Sequence, residues 1–425
     1  MPKQIILAAH FPGVNNTTVW SDSRSGSQIE FDSFEHLART AERGRFDFFF
    51  LAEGLRLREQ RGLIHDLDVV GRPDTLTVLA ALAAVTTHLG LAGTLNATYH
   101  EPYELARQLA TLDHLSGGRA AWNVVTSPGA FFGENFRRGG FLDHADRYVR
   151  AAEFIEAART LWDSDGGDFS ITSSQFGIAG RFGVPRSPQG HPVVLQAGDS
   201  EGGRELAARH ADAIFSRHHQ LEDARVFYRD VKQRVIRHGR DPDSLKIIPG
   251  VSYVLGDSDA DAQEKAHHIR RQQVSPQTAI LLLEQLWNRD LSGYDADGPL
   301  PEIDPRLDED DTIIKGRAGM YPDRLATAAE WRALAEAKKL SIRDLIIEVT
   351  GRQNFIGTPA RVAEQLDEYV QTGACDGFIL VPHLTPAGLD DFVDQVVPLL
   401  QERGVVRTEY SGGTLRDNLG LAKGR

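Results

Sequence analysis

Cysteine is almost missing from this chain. Cys375 is the only one in 425 residues, which excludes a disulfide framework and any metal site built on cysteine pairs. Long apolar runs are missing as well: the N-terminal stretch Ile5-Ile6-Leu7-Ala8-Ala9 falls far short of a signal-peptide core or of the roughly 20 residues that span a bilayer. Both absences predict a soluble protein of the reducing cytoplasm, with no membrane partner. Basic charge is in the minority, 47 Lys and Arg against 60 Asp and Glu for a net charge of −13, so no basic stripe is available for a nucleic-acid backbone.

Several motifs are missing too. No Gly-x-Gly-x-x-Gly follows the first strand-like run, which argues against a nicotinamide held on a Rossmann unit. Gly198-Asp199-Ser200-Glu201-Gly202-Gly203-Arg204 has the look of a phosphate loop, but Arg204 stands where a P-loop needs lysine and Glu205 where it needs Ser or Thr. No Gly-x-Ser-x-Gly elbow supports an esterase. The pairs His218-His219 and His267-His268 lack metal-ligand spacing, because neighbours on a helix point in different directions. Glu53 has no evident second carboxylate facing it, as a glycosidase requires.

What is present is alternation. Short β-rich runs at 4–9, 46–51, 89–95, 119–125, 192–197, 211–215, 246–255 and 376–381 are separated by helix-period segments. The helical segments are 31–43, 75–86, 102–115, 144–162, 201–209, 221–238, 260–287 and 389–403. Eight such units predict an α/β fold, a (β/α)8 TIM barrel with insertions, with a doubly wound open sheet as the alternative. A plain barrel needs about 250 residues, so the remainder is placed in excursions at 10–30, 163–191 (read as a small hairpin) and 288–358 (read as a lid or dimer contact within one domain spanning 1–425).

Parallel strands bring the residues after each strand to one mouth. His10, Glu53, Asn96, Thr98, Asn123, Thr126 and Ser200 are therefore gathered there. His144 and Tyr148 are four residues apart at the start of the fourth helix and share a face above the same mouth. Gly198-Asp199-Ser200 opens the fifth helix, where free N–H groups and the positive dipole end suit a phosphate. Bland readings stand beside these. Ser200 as a plain cap, Tyr148 as a core aromatic, Asn123 as a loop-satisfying amide and Trp122 as packing all fit the sequence equally well. A phosphate-bearing ligand is as far as the residues alone go.

At these same positions the chain resembles a known family. The matching blocks include Thr98-Tyr99-His100-Glu101-Pro102-Tyr103, Leu112-Asp113-His114-Leu115-Ser116-Gly117-Gly118-Arg119 and Trp122-Asn123-Val124-Val125-Thr126-Ser127. Others are Arg147-Tyr148, Gln196-Ala197-Gly198-Asp199-Ser200 and the tail Thr414-Leu415-Arg416-Asp417-Asn418-Leu419-Gly420. They are similar to the nitrilotriacetate, dibenzothiophene-sulfone and pristinamycin IIA synthase monooxygenases of the bacterial luciferase-like superfamily. The resemblance implies a luciferase-like barrel that uses FMN, delivered as FMNH2 by a separate NAD(P)H:flavin reductase, and O2 to oxygenate a small organic substrate, with a homodimer as the assembly. Carried over residue by residue, Thr98, His144, Tyr148 and Ser200 match FMN positions. Asn123 would lie near the flavin ring, and Glu53 stands where the family has aspartate.

His10 is the candidate acid/base or orienting group. Phe11, Leu55, Phe131 and Phe132 are expected beside it in the substrate pocket, favouring an aromatic or heterocyclic substrate. A deazaflavin-dependent oxidoreductase on the same fold and a flavin-binding protein without turnover are the rival readings.

Overall fold

In the computed structural model, eight short apolar segments pair into one ring: β1 (Ile6–His10), β2 (Phe48–Leu51), β3 (Gly90–Asn96), β4 (Ala120–Val125), β5 (Val193–Ala197), β6 (Ala213–Ser216), β7 (Lys246–Val251) and β8 (Gly377–Leu380). Residues 2–11, 18–56, 59–60, 62–63, 73–127, 133, 135–136, 144–307, 314–315, 321, 323–351 and 353–423 are described. Each strand pairs in parallel with the next, and β8 returns to β1 in the register Ala9↔Leu380, closing the barrel. The open-sheet alternative is thereby removed. Each barrel strand falls on one of the eight segments expected from the sequence, with β1, β3 and β6 running one residue beyond the expected end.

Closure follows from side chains on both faces. Successive residues of a strand point to opposite sides, so Ile6 and Ala8 of β1 enter the barrel interior with Phe48, Phe50, Ala92, Ala121, Leu195, Ile248 and Ile379. Ile5, Leu7 and Ala9 face outward and pack with Phe34, Leu37, Ala38 and Ala41 of the first helix. Phe11, expected in the substrate pocket, follows the same alternation outward: it is buried and stacks on Phe34 at 4.1 Å. It is therefore a core residue.

The outer layer comprises α1 (Phe31–Arg43), α2 (Thr75–Val85), α3 (Pro102–Leu115), α4 (His144–Asp163), α5 (Glu201–His210) and α6 (Leu221–Arg237). The expected hairpin is present as antiparallel strands Asp168–Thr172 and Gly177–Arg181.

The long excursion differs from the reading. The 260–287 segment is not one barrel helix but two, α7 (Asp259–Gln273) and α8 (Pro276–Trp287). They separate where Pro276, which lacks an N–H, starts the second helix behind a Ser275 cap. Helix α8 packs with α9 (Arg324–Lys338) and α10 (Ile342–Thr350) in an apolar cluster of its own containing Leu283, Trp287, Trp331 and Ile346. The helix that completes the seventh barrel unit is α11 (Pro359–Gln371), capped by Thr358. Strand β7 also ends earlier than expected. After Ser252 the chain leaves the ring, and Tyr253–Leu255 pairs with Phe355–Gly357 instead, fastening the two ends of the excursion together. Helices α12 (Asp390–Gln395) and α13 (Val397–Glu402) close the outer layer beyond β8.

The barrel floor is shut by the tail. A capping box between Thr414 and Asp417 starts α14 (Leu415–Asn418), and Leu415, Leu419 and Leu421 join the interior cluster from below. Arg416 donates to Asp212 (2.8 Å) and to the carbonyls of His191 and Pro192. Burial works against a charge on Asp212, but Arg416 and the Val194 N–H outweigh it and hold its carboxyl below the ordinary range. Among the described residues no helix is long and apolar enough to cross a membrane.

Candidate functional site at the barrel mouth

Above the apolar floor the inward positions turn polar. Alternation carries His10 of β1, Thr94 and Asn96 of β3 and Asn123 of β4 to the upper layer. The register Thr94↔Asn123 sets two of them side by side, and Asn123 Nδ2 donates to Thr94 Oγ1 at 2.9 Å. Asn96 Oδ1 accepts from the Thr98 N–H at 2.7 Å, folding the loop after β3 back over the strand end, while Asn96 Nδ2 donates to Ser127 Oγ. Helix α4 pins these loops from outside. Buried Arg150 donates to the carbonyls of Ala97 (3.0 Å) and His100 (2.9 Å), and Arg147 to that of Thr126 (3.1 Å).

His10 is only 6% exposed and stacks on Phe50, which stacks in turn on Phe215 across the interior. The third ring fits because position 250 is glycine: a Cβ there would lie 2.5 Å from the Phe215 ring. Burial lowers the His10 pKa to about 4, so the imidazole is neutral at physiological pH. Glu53, just beyond β2, moves the other way. Burial, with a smaller contribution from the charge of Asp74, raises its pKa to about 8, so its carboxyl is largely protonated at pH 7.

Four buried polar atoms from four consecutive strand ends have no hydrogen-bond partner among the described residues: His10 Nδ1, Glu53 Oε2, Thr98 Oγ1 and Asn123 Oδ1. Each such atom left unpaired costs about 1–3 kcal/mol. Four together are the mark of a site built for a polar-edged ligand.

A second polar group lies at β5. Ser200 caps α5, its Oγ accepting from the Gly203 N–H at 3.2 Å, and the same oxygen lies 2.7 Å from Tyr148 Oη. The capping and ligand-site readings of Ser200 are thus not exclusive. Gly202 brings the helix against the phenol ring, since a Cβ there would lie 2.9 Å from two Tyr148 ring carbons. Unpaired N–H groups of the first turn of α5 sit beside the two hydroxyls, a combination suited to a phosphate. His144 opens α4 one turn before Tyr148; its side chain, like Phe131 and Phe132, lies outside the described residues. Trp122 is core, fully buried against Phe154 with its Nε1 donating to the Leu95 carbonyl.

The sequence profile of the luciferase-like monooxygenases matches residues 13–376. N-acetyl-S-(2-succino)cysteine monooxygenase of Bacillus subtilis is 39% identical, with 99% of this chain and 97% of the relative covered. Nitrilotriacetate monooxygenase component A of Aminobacter aminovorans is 40% identical over 92% and 90%. This chain belongs to the luciferase-like monooxygenase family. Among solved structures, riboflavin lyase, crystallised with modified FMN and riboflavin, superposes with a TM-score of 0.79 at 28% identity, covering 99% of this chain and 97% of that one.

Within this family barrel the structure brings His10, Glu53, Thr98 and Asn123 to adjacent strand ends, and Tyr148 and Ser200 into direct contact. The sequence reading missed the loop-pinning arginines, Arg147 and Arg150. Their i,i+3 spacing, which sets both on one face of α4, was the available signal. It also missed a cavity of ≈ 480 Å³ between the ends of β7 and β8 and helices α7–α10, whose walls include Ser252, Arg270, Trp331, Val381 and His383.

Proposed function

We propose that this luciferase-like monooxygenase holds FMN with its phosphate on the Tyr148–Ser200 hydroxyls and the α5 N-terminus, and its ring edge over His10, Glu53, Thr98 and Asn123. It is an FMNH2-dependent enzyme that oxygenates a small organic molecule with O2. The observation that carries this assignment is the set of four unpaired buried polar atoms at consecutive strand ends, joined at β5 by a hydroxyl pair on a helix N-terminus. An isoalloxazine edge, with alternating N–H and C=O groups, matches an amide oxygen, a hydroxyl, a neutral imidazole and a protonated carboxyl. Bound FMNH2 supplies the electrons that split dioxygen, one oxygen going to substrate and the other to water.

The chain's own residues position and shield. The Nδ2–Thr94 bond fixes the Asn123 amide so that Oδ1, an acceptor, is offered to the ligand. Thr98 Oγ1 is aimed by the Asn96 clamp on its backbone. Glu53, protonated, offers a donor at the position where the family has aspartate, one methylene further from the backbone. His144, one turn before Tyr148, joins the phosphate side. His10, neutral, accepts or releases a proton at Nδ1 beside the reacting region. The excursion around 288–358 serves as a lid that keeps water from that region. The proposal includes a separate NAD(P)H:flavin reductase, a cytoplasmic setting and a homodimer packed through the outer helices, which light scattering checks.

The deciding experiment is an anaerobic titration of the full chain with FMNH2, FMN and a deazaflavin, followed by O2-uptake measurements with a flavin reductase. Preferential FMNH2 binding supports the reading, whereas binding of the deazaflavin alone, without O2 uptake, overturns it. His10→Ala is expected to retain FMNH2 binding, weakened by no more than about tenfold for the lost ring-edge contact, while NADH consumption becomes uncoupled from product; unchanged coupling removes His10 from the proton role.

A further inference from the structure

The ≈ 480 Å³ cavity lies within the range of about 300–1,000 Å³ that small-molecule sites occupy, and one of its walls adjoins the barrel mouth. Val381 follows β8 and lies among its walls, and His10 ends β1. The Ala9↔Leu380 register makes these two neighbours across paired strands, roughly 5 Å apart at the usual strand spacing.

The walls are mostly apolar, with Ile269, Leu282, Trp331 and Ile347 contributed by the excursion helices. In a chain with 60 carboxylates and a net charge of −13, the described wall residues include no Asp or Glu. The neighbouring recess, which shares His383 and Tyr253, holds Asp22, Asp261, Glu264 and Asp391; carboxylates are plentiful one wall away.

The inner cavity does hold a guanidinium. Arg270 of α7 donates from Nε to Gln353 Oε1 (2.5 Å), and Gln353 is itself fixed by donating from Nε2 to the Ala266 carbonyl (2.9 Å). Among the described residues nothing engages the two terminal nitrogens of Arg270 by hydrogen bond or ion pair. The adjacent Arg271, by contrast, is paired with Asp344 and Asp297. An oriented guanidinium with free terminal nitrogens, in a largely apolar cavity whose described walls carry no carboxylate, is a receptor for a planar anion.

We infer that this cavity is the substrate pocket and that Arg270 selects a single carboxylate carried on an apolar, ring-sized body. The inference rests on the monooxygenase reading for the word substrate, and on the cavity alone for the ligand class. Arg270 is the one Arg or Lys among the described wall residues, and one cation favours one carboxylate: a second would be buried without a partner, at a cost that exceeds what its apolar frame recovers.

The test is isothermal titration of the full chain with 2-naphthoate and with uncharged 2-naphthamide, on wild type, Arg270→Gln and Thr350→Asp, the last placing a carboxylate in the cavity wall. Wild type is expected to prefer naphthoate by about 10- to 100-fold, the usual size of a charge-assisted hydrogen-bond effect. Arg270→Gln is expected to abolish the preference, and Thr350→Asp to cut it at least about tenfold, with FMNH2 affinity unchanged in both. Equal binding of the two probes, binding of neither, or a preference that survives in whichever variant folds overturns the inference. FMNH2 titration of the same samples separates the two readings: loss of flavin binding with naphthoate preference intact defeats the cofactor assignment and leaves the carboxylate pocket standing.

Discussion

Replacing Glu53 with glutamine is expected to stabilise the protein in alkaline solution and to leave it unchanged in acid. The carboxyl titrates near 8 in the folded protein against 4.5 in the free side chain, chiefly because burial penalises its charge. Between those pH values the folded state holds more protons than the unfolded chain, so stability falls as pH rises through the window and levels off above pH 8. Below pH 4.5 both states are protonated and the penalty is absent.

At about 1.4 kcal/mol per unit the whole displacement corresponds to roughly 4–5 kcal/mol. Water reaching the partly exposed carboxyl reduces this to about 2–3 kcal/mol. With an unfolding entropy near 2 cal/mol/K per residue, each kcal/mol moves the Tm of a chain this long by roughly 1 °C. Differential scanning fluorimetry of the flavin-free protein should therefore show Glu53→Gln above wild type by about 2–3 °C at pH 8.5 and level with it near pH 4.5. A constant offset across the pH range would refute the argument, since only titration of residue 53 makes the gap open with pH. Glutamine also keeps a donor where the protonated acid has one, so FMNH2 affinity should survive Glu53→Gln and weaken about tenfold in Glu53→Ala.

Ser200→Ala removes both the α5 cap and the partner of Tyr148. It should cost about 1 kcal/mol of stability and weaken FMN more than riboflavin in side-by-side titrations, because only FMN carries the phosphate. Gly202→Ala drives a methyl into the Tyr148 ring and should reduce FMN affinity with little loss of helix, measurable by fluorescence quenching and circular dichroism. Arg416→Ala leaves Asp212 buried without its cation and should destabilise by about 3–5 kcal/mol, seen as a shifted urea midpoint with unchanged slope.

How much of this could be read from the sequence depended on whether the information was local. The eight strands are short, apolar and bounded by helices with their own period, so each announced itself. The excursion did not. Helices α7 and α8 read locally as one barrel helix, and nothing local says that α7 packs on the Tyr253–Leu255 and Phe355–Gly357 strands and α8 on α9 and α10 rather than on the ring. The true seventh helix did have a signature, Thr358 as cap and Pro359 at the first position, which is as clear as the Pro102 start that was read correctly. Phe11 was misplaced by counting position after a strand and ignoring alternation, which sends it to the opposite side from His10.

At the site, Tyr148 and Ser200 are 52 residues apart and meet only through the barrel, and the resemblance linked them where spacing could not. The unpaired state of Asn123 Oδ1 and Thr98 Oγ1 is a property of packing, invisible until neighbours are known. So is the pocket around Arg270, whose described walls come from eight separate stretches between residues 219 and 383.

The tail that shuts the barrel floor bears on how the chain matures. Residues 414–421 emerge from the ribosome after every strand of the ring, yet Leu415, Leu419 and Leu421 share one apolar cluster with Ile6 and Ala8 of the opening strand. The interior begun by β1 is thus finished only when synthesis has passed residue 421. Until then the underside of the growing barrel presents bare apolar surface, the kind of surface that chaperones bind and that aggregation exploits. Polypeptide fused after residue 425 would lie close in sequence to this closing element.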